Sequence, residues 1–380
     1  IDPLEESSMH WLNSANGFCK RNVYKMINRE NIQAKLIADI DIIVQGILQN
    51  MSQKPIAIYL CGGIGRDEGS WYMDNNGIVC PYNDYDVAVI SEYDIEYEQL
   101  QDLRKELAKQ INIHWVDIDF YSPKSLLSLK PTIHNVDLLE ASKLIWGEDY
   151  ICRVPKLDKR SIGEYDLDVL YRTRMWTLLG SWSGSFHDIQ NDEARFFKNQ
   201  MAKCVLAACD MILLKNHAYT TSYKDKAIIA SKFSNDTTFE KLATWAINEK
   251  LFPSNTSLSS EEMVSLYEAA RSIFFKSFKY SMGEKANLYL DPDRTPELRR
   301  LNLKNVVVDI FGIFFKRYRR VKKEFEIFRA QNYAMHAYCK GAINNEYVLK
   351  ASNIMKRWHY GAYSSWDELH EAVANARNNL

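Results

Sequence analysis

The sequence has little of most features that would announce a specialised protein. Its seven cysteines (19, 61, 80, 152, 204, 209 and 339) are odd in number, scattered and without a CxxC pair, so neither a disulfide framework nor a thiolate zinc site is indicated. Such usage fits a reducing cytoplasm. The eight histidines contain no HExxH and no close ligand pair. No N-terminal stretch has the basic-then-apolar pattern of a secretion signal, and the most apolar late run, VVVDIFGIFF at 306–315, is short and broken by Asp309. A cytoplasmic protein with no membrane partner is the expectation. The formal net charge of -1 argues against general polyanion binding but leaves room for a local basic groove. The chain shows no internal repeat or low-complexity tract.

What is present is the composition of a globular protein, 46% hydrophobic and 26% charged over 380 residues, a length that suggests about two domains. After an N-terminal extension (1–30), residues 31–51 carry apolar side chains at helical spacing from Ile32 to Leu48. Pro55 interrupts, and IAIYLCG reads as a strand stopped by Gly62 and Gly63. DYDVAVI (84–90) is a second strand, EYEQLQDLRKELAKQI (96–111) an amphipathic helix and IHWVDIDFYS (113–122) a third strand. This is a compact α/β unit over 31–155. Beyond the glycine, proline and mixed charge of 147–160 the periodicity is helical throughout, including one long segment over 305–342, so 156–380 reads as an all-α domain. The fold class expected is α+β: a small mixed sheet with helices, then a helical domain.

The informative residues lie in the first half. A glycine pair after a strand lets backbone approach a ligand closely, and a following helix would direct its first amides at a phosphate. Asp84 and Asp86, two apart, project from one strand face, and so do Asp117 and Asp119. If the two strands are neighbours, these carboxylates meet, and Asp84, Asp86 and one of the later pair could hold Mg2+, with a two-metal site within reach. Aspartate is disfavoured in strands, and clustered carboxylates repel unless a cation joins them. Strand parity does not separate Asp117 from Asp119. Arg66 is placed either on phosphate or in a salt bridge to Asp67 or Glu68.

The stretch GGIGRDEG followed by PYNDYDVAVI resembles the polymerase-beta-type nucleotidyltransferase superfamily. It is most similar to the uridylyltransferases that modify bacterial nitrogen-signalling proteins, whose motif runs GGYGRGEL then PYSDIDLL. Gly62, Gly63, Gly65, Arg66, Glu68, Pro81, Asp84 and Asp86 match position by position. The resemblance covers residues 55–122. Many relatives have serine where this chain has Gly63, so phosphate contact there would rest on backbone amides. The gap before Asp84 is lengthened by SWYMDNNGIVC (70–80), read as a loop that closes over or restricts the site. The regulatory and hydrolase domains of those uridylyltransferases have no visible counterpart.

What the resemblance implies is in-line displacement at the α-phosphorus of a nucleoside triphosphate, with release of pyrophosphate. A nucleoside monophosphate would pass to an acceptor hydroxyl on a small molecule, a protein or an RNA. Asp84, Asp86 and Asp117, the more familiar third position, would hold Mg2+ or Mn2+, and Asp117 or Asp119 would accept the proton; Gly62, Gly63 and Arg66 would contact the nucleotide. The helical domain would close the nucleotide cleft and supply a lysine and an aromatic, for which Lys203 and Tyr223 are candidates, with Ser222 and Lys224 beside the latter. A snorkelling lysine and a surface loop are the plain alternatives. The basic run at 315–325, from Lys316 to Lys323, is either a solvated helix face or a docking surface for an anionic acceptor. His114 is read as structural. The competing functions are a cyclic-oligonucleotide synthase of bacterial defence type and a catalytically inactive nucleotide-binding module.

Overall fold

The computed structural model describes residues 29–74, 76–181, 187–298, 314–339 and 342–376, and elements are numbered in chain order over these. The first helix, α1 (Arg29–Asn50), leads into β1 (Ala57–Leu60), a single-turn helix α2 (Gly62–Gly65), and a hairpin of β2 (Trp71–Met73) and β3 (Val79–Pro81). Strand β4 (Tyr85–Ile90), helix α3 (Tyr97–Ile111) and β5 (Val116–Tyr121) follow, then α4 (Pro123–Leu126), α5 (Ile133–Ala141) and β6 (Lys143–Gly147).

These make one four-stranded mixed sheet in the order β5-β4-β1-β6. Strand β1 runs antiparallel to both β4 and β6, whereas β4 and β5 are parallel. Side-chain alternation divides the sheet into two apolar faces. Ile58, Leu60, Val87, Val89 and Ile118 pack against Ile43 and Ile47 of α1 and Leu103 and Leu107 of α3. The opposite face, carrying Tyr59, Ala88 and Ile90, is closed over part of its area by Leu126 and Leu138 of α4 and α5. The carboxylates Asp86, Asp117 and Asp119 share this second face.

The second half is a helical assembly: α6 (Glu164–Gly180), α7 (Asn191–Lys215), α8 (Tyr223–Ser234), α9 (Thr237–Leu251), α10 (Ser260–Met282), α11 (Asn287–Leu290), α12 (Phe314–Ala337), α13 (Asn345–Arg357) and α14 (Trp366–Ala376). Its core is centred on α7, which is buried over most of its length and packs against α6, α8, α9 and α10. The helices are started by side-chain caps where the sequence supplies them. Ser222 caps α8, Asp236 caps α9, and Ser259 with Glu262 forms a capping box at α10.

The expected α+β class holds, with the sheet in the first half and helices after it. Two readings are corrected. Residues 71–81 are a hairpin, not a loop: Asp74 accepts the N–H groups of Asn76 and Ile78 and shapes its turn. The second half is not purely helical, because α12 ends at Ala337 and the chain turns through a short hairpin, β7 (Tyr338–Cys339) and β8 (Ala342–Ile343). The extension 1–28 and most of the apolar run 306–315 lie outside the described residues, as do the side chains of Lys316, Arg317, Arg319 and Arg320. Among the described residues no helix is long and apolar enough to cross a membrane.

Candidate functional site

The site begins where β1 ends. Cys61 N–H donates to Asp86 O, holding the start of the turn against β4. Gly62 then takes φ +62°, and a Cβ on it would stand 1.9 Å from Asp86 Oδ2. No residue with a side chain fits here while Asp86 keeps its position. The single turn of α2 leaves the first amides, those of Gly62 and Gly63, without intrahelical acceptors.

The carboxylates converge by strand register. Asp86 of β4 stands opposite Asp117 of β5, and Asp119 stands opposite Ala88, one pair further along the same face. Asp84 directly precedes β4. Burial, followed by the charges of Asp117 and Asp84, pushes the Asp86 carboxyl up to about 6. Burial also raises Asp84, with Asp117 adding to it and Lys203 opposing it. Thus Asp84, Asp86 and Asp117 form one electrostatic group. Trp115 Nε1 donates to Asp117 Oδ1 at 2.7 Å, whereas Asp119 is 57% exposed, with Arg104 4.0 Å away. This distinction between Asp117 and Asp119 comes from neighbouring residues, not from strand parity. Among the described residues no three His, Cys, Asp or Glu side chains are close enough to hold a metal ion as they stand. In chemistry the set suits a hard divalent cation, being all carboxylate oxygen and mutually repulsive.

A basic flank faces these acids from the helical half. Lys203 of α7 and Lys250 of α9 both lie within electrostatic reach of Asp84 and Asp86. Neither ammonium makes an ion pair or hydrogen bond with a described residue. Burial, then Arg174, lowers Lys203; burial, then Lys203 and Arg174, holds Lys250 well below the ordinary lysine range. Arg174 of α6 donates to Thr177 Oγ1 at 3.2 Å, and its Nε is buried without an acceptor. Three cations thus repel one another at one place. Lys203 was legible as a charge interrupting an apolar helix. Lys250 and Arg174 had no local signal, since each sits in an ordinary amphipathic pattern.

Arg66 and Tyr223 have a different setting from the one expected of nucleotide contacts. Arg66 Nε pairs with Glu68 at 3.3 Å and Nη1 with Asp137 of α5 at 3.1 Å. Its guanidinium lies 4.6 Å from the centre of the Tyr223 ring. Glu68 in turn accepts from Ser222 Oγ and from the Tyr223 backbone N–H, at 3.0 and 2.9 Å. It thereby serves the amino end of α8. Asp137 also accepts from Tyr219 Oη at 2.7 Å, and Tyr219 receives a bond from Lys226, which pairs with Asp210 at 3.0 Å. This chain of buried polar groups joins the sheet half to the helical half. Lys224 is exposed. His114, also exposed, precedes β5.

Beside the carboxylates lies a cavity of about 570 Å³ between the sheet and the amino ends of α5 and α6. Asp86, Asp117 and Asp119 line it together with Tyr121, Tyr165 and Asp166. Compared with protein-family models, curated proteins and solved structures, the chain has no match.

Proposed function

We propose that the chain is a metal-dependent nucleotidyltransferase, moving a nucleoside monophosphate from a nucleoside triphosphate to an acceptor hydroxyl with release of pyrophosphate. In this reading residues 31–155 are a catalytic domain of the nucleotidyltransferase kind and 156–380 a helical domain that closes the cleft. The observation that carries it is the facing of two opposite charge groups. Asp84, Asp86 and Asp117 repel one another, Lys203, Lys250 and Arg174 repel one another, and the two groups attract without an ion pair between them among the described residues. A divalent cation carrying a polyphosphate balances both at once.

Asp84, Asp86 and Asp117 would hold the ion, Mg2+ or Mn2+. When bound, it supplies charge neutralisation to the triphosphate and lowers the pKa of the attacking hydroxyl. Lys203 and Lys250 lie where they would take the charge of the phosphate chain and steady the pyrophosphate as it leaves. The free amides of Gly62 and Gly63 would receive phosphate oxygens, which is why Gly63 needs no hydroxyl for the purpose. Asp119, exposed at the cavity, would accept the proton of the incoming hydroxyl. Arg66 is assigned to holding the turn and the helical half together rather than to phosphate, because its contacts are Glu68, Asp137 and Tyr223.

The test is calorimetric binding of non-hydrolysable ATP, GTP, CTP and UTP analogues with Mg2+, to the wild type and to Asp84→Ala/Asp86→Ala. Metal-dependent binding lost in the double variant is the expected result. A folded wild type that binds no triphosphate would overturn the reading.

A further inference from the structure

Two aspartates of β5 compete for the third place in the carboxylate group, and their neighbours differ in kind. Trp115, Asp117 and Asp119 alternate along one face of the chain as it enters and runs through β5. Trp115 directly precedes Val116, which pairs with Tyr85, and Asp84 directly precedes Tyr85. Trp115 therefore sits at the end of the sheet where Asp84 enters. From there its Nε1–H donates to Asp117 Oδ1 at 2.7 Å. The other aspartate has a cation beside it: Arg104 of α3 donates to Ile118 O at 2.6 Å and lies 4.0 Å from Asp119.

These partners do different things to a carboxylate. A guanidinium offsets the negative charge that a metal ion needs. An indole N–H is a donor only and carries no charge, so it fixes the rotation of the carboxylate and leaves its charge in place. Among the described residues no hydrogen-bond donor reaches the carboxylates of Asp84 or Asp86, and Asp117 Oδ2 is likewise without one. Asp117 is thus the member of the group that is held in advance, with one oxygen engaged and the other available. It lines the cavity, and its charge bears on both Asp84 and Asp86. A ligand fixed before the ion arrives has less freedom to lose on binding.

We infer that Trp115 is a positioning residue of the metal site: by holding Oδ1 of Asp117 it presents the other oxygen to the cation, and it thereby makes Asp117, not Asp119, the third ligand. The inference rests on the nucleotidyltransferase reading for the presence of that cation. It answers what strand alternation left open, since Asp117 and Asp119 share a face and differ in what stands next to them. Hydrogen bonds of this kind, made to a ligand from behind, commonly change metal affinity by 10- to 100-fold.

Mg2+ is the probe, with calorimetry for affinity and nuclear magnetic resonance of protein labelled with 15N in its nine tryptophans. Trp115→Phe keeps an aromatic ring, removes the N–H and identifies the Trp115 indole resonance by its loss. That resonance should move as Mg2+ is added to the wild type and stop moving when the calorimetric site is full, because a cation on Asp117 weakens it as an acceptor. Trp115→Phe should bind Mg2+ about tenfold less tightly or worse. In an Asp117→Asn background the same change should cost almost nothing more, whereas in Asp119→Asn its full effect should remain. An unmoved indole resonance at saturating Mg2+, or wild-type Mg2+ affinity in Trp115→Phe, overturns the proposal. Either decides even where Asp117→Asn binds too weakly to measure. Losses from Trp115→Phe and Asp117→Asn that add in full also overturn it, since packing alone would then explain the tryptophan. The transferase reading fails separately, as a wild type that takes up Mg2+ but no triphosphate analogue; a wild type that takes up no Mg2+ overturns both.

Discussion

Gly62 and Asp86 are in mutual contact across the β1–β4 pair, so close that the glycine has no room for a methyl group while Asp86 keeps its position. The backbone turn and the acid therefore position one another. Gly62→Ala should move Asp86 and also strain a left-handed φ, at a cost of roughly 1–3 kcal/mol. The expected result is a lower melting temperature together with at least tenfold weaker metal-dependent triphosphate binding. A variant that melts earlier yet binds normally would separate the turn from the site.

Asp86 makes stability depend on pH in a definite direction. Its ordinary value is 3.8 and the folded protein raises it to about 6, so between those values the folded state holds more protons than the unfolded one. Stability of the metal-free protein therefore falls as pH rises through that window and stays low above it, by on the order of 2 kcal/mol. Asp86→Asn should abolish that component and unfold at higher urea than the wild type at pH 7. An unchanged pH profile in the variant would assign the raised carboxyl elsewhere.

Lys250 is 5% exposed and its ammonium has no ion-pair partner among the described residues, beside Lys203 and Arg174. Replacing it by methionine keeps the bulk and removes the ammonium. Lys250→Met should stabilise the ligand-free fold by about 1 kcal/mol, since a buried cation without a partner is unfavourable. It should weaken the triphosphate analogue by tenfold or more. Stability and affinity moving in opposite directions is the signature of a group held for a ligand; both falling together would mark Lys250 as structural.

Glu68 serves Arg66 on one side and the amino end of α8 on the other. Glu68→Ala leaves a buried guanidinium short of one acceptor and the Tyr223 N–H without its carboxylate, so a loss of about 3 kcal/mol is expected in urea unfolding. Arg66→Met should cost less than Glu68→Ala, because Glu68 then still has Ser222 and Tyr223, while Asp137 keeps Tyr219. The opposite order would mean that the guanidinium, not the carboxylate, is the hub of the join.

Legibility in the sequence followed the range of the forces involved. The aspartates were readable because strand alternation is local: a spacing of two places both members of a pair on one face wherever the strand lies. The end of β1 was readable from its glycines. The hairpin at 71–81 was harder, because its strands are three residues each and its turn depends on the Asp74 side chain. Strand β6 was missed for a similar reason: KLIWG has no alternation of its own and becomes a strand by pairing with β1. Helix α12 was read through its end, since nothing between Ala337 and Gly341 breaks an apolar period strongly enough.

What the sequence determined by itself was the α+β division, the main helices and strands of the first half, and four carboxylates on strand faces. These follow from periodicity and turn chemistry over a few residues. Tertiary structure alone decided that β4 and β5 are neighbours, which brings Asp117 to Asp86 and sets Asp119 at the cavity. It also decided that Arg66 is engaged by Glu68 and Asp137, and that Lys250 comes from far along the chain to the same acids. Electrostatic interactions act through space and depend on burial, so their partners and their strength exist only once the chain has closed on itself.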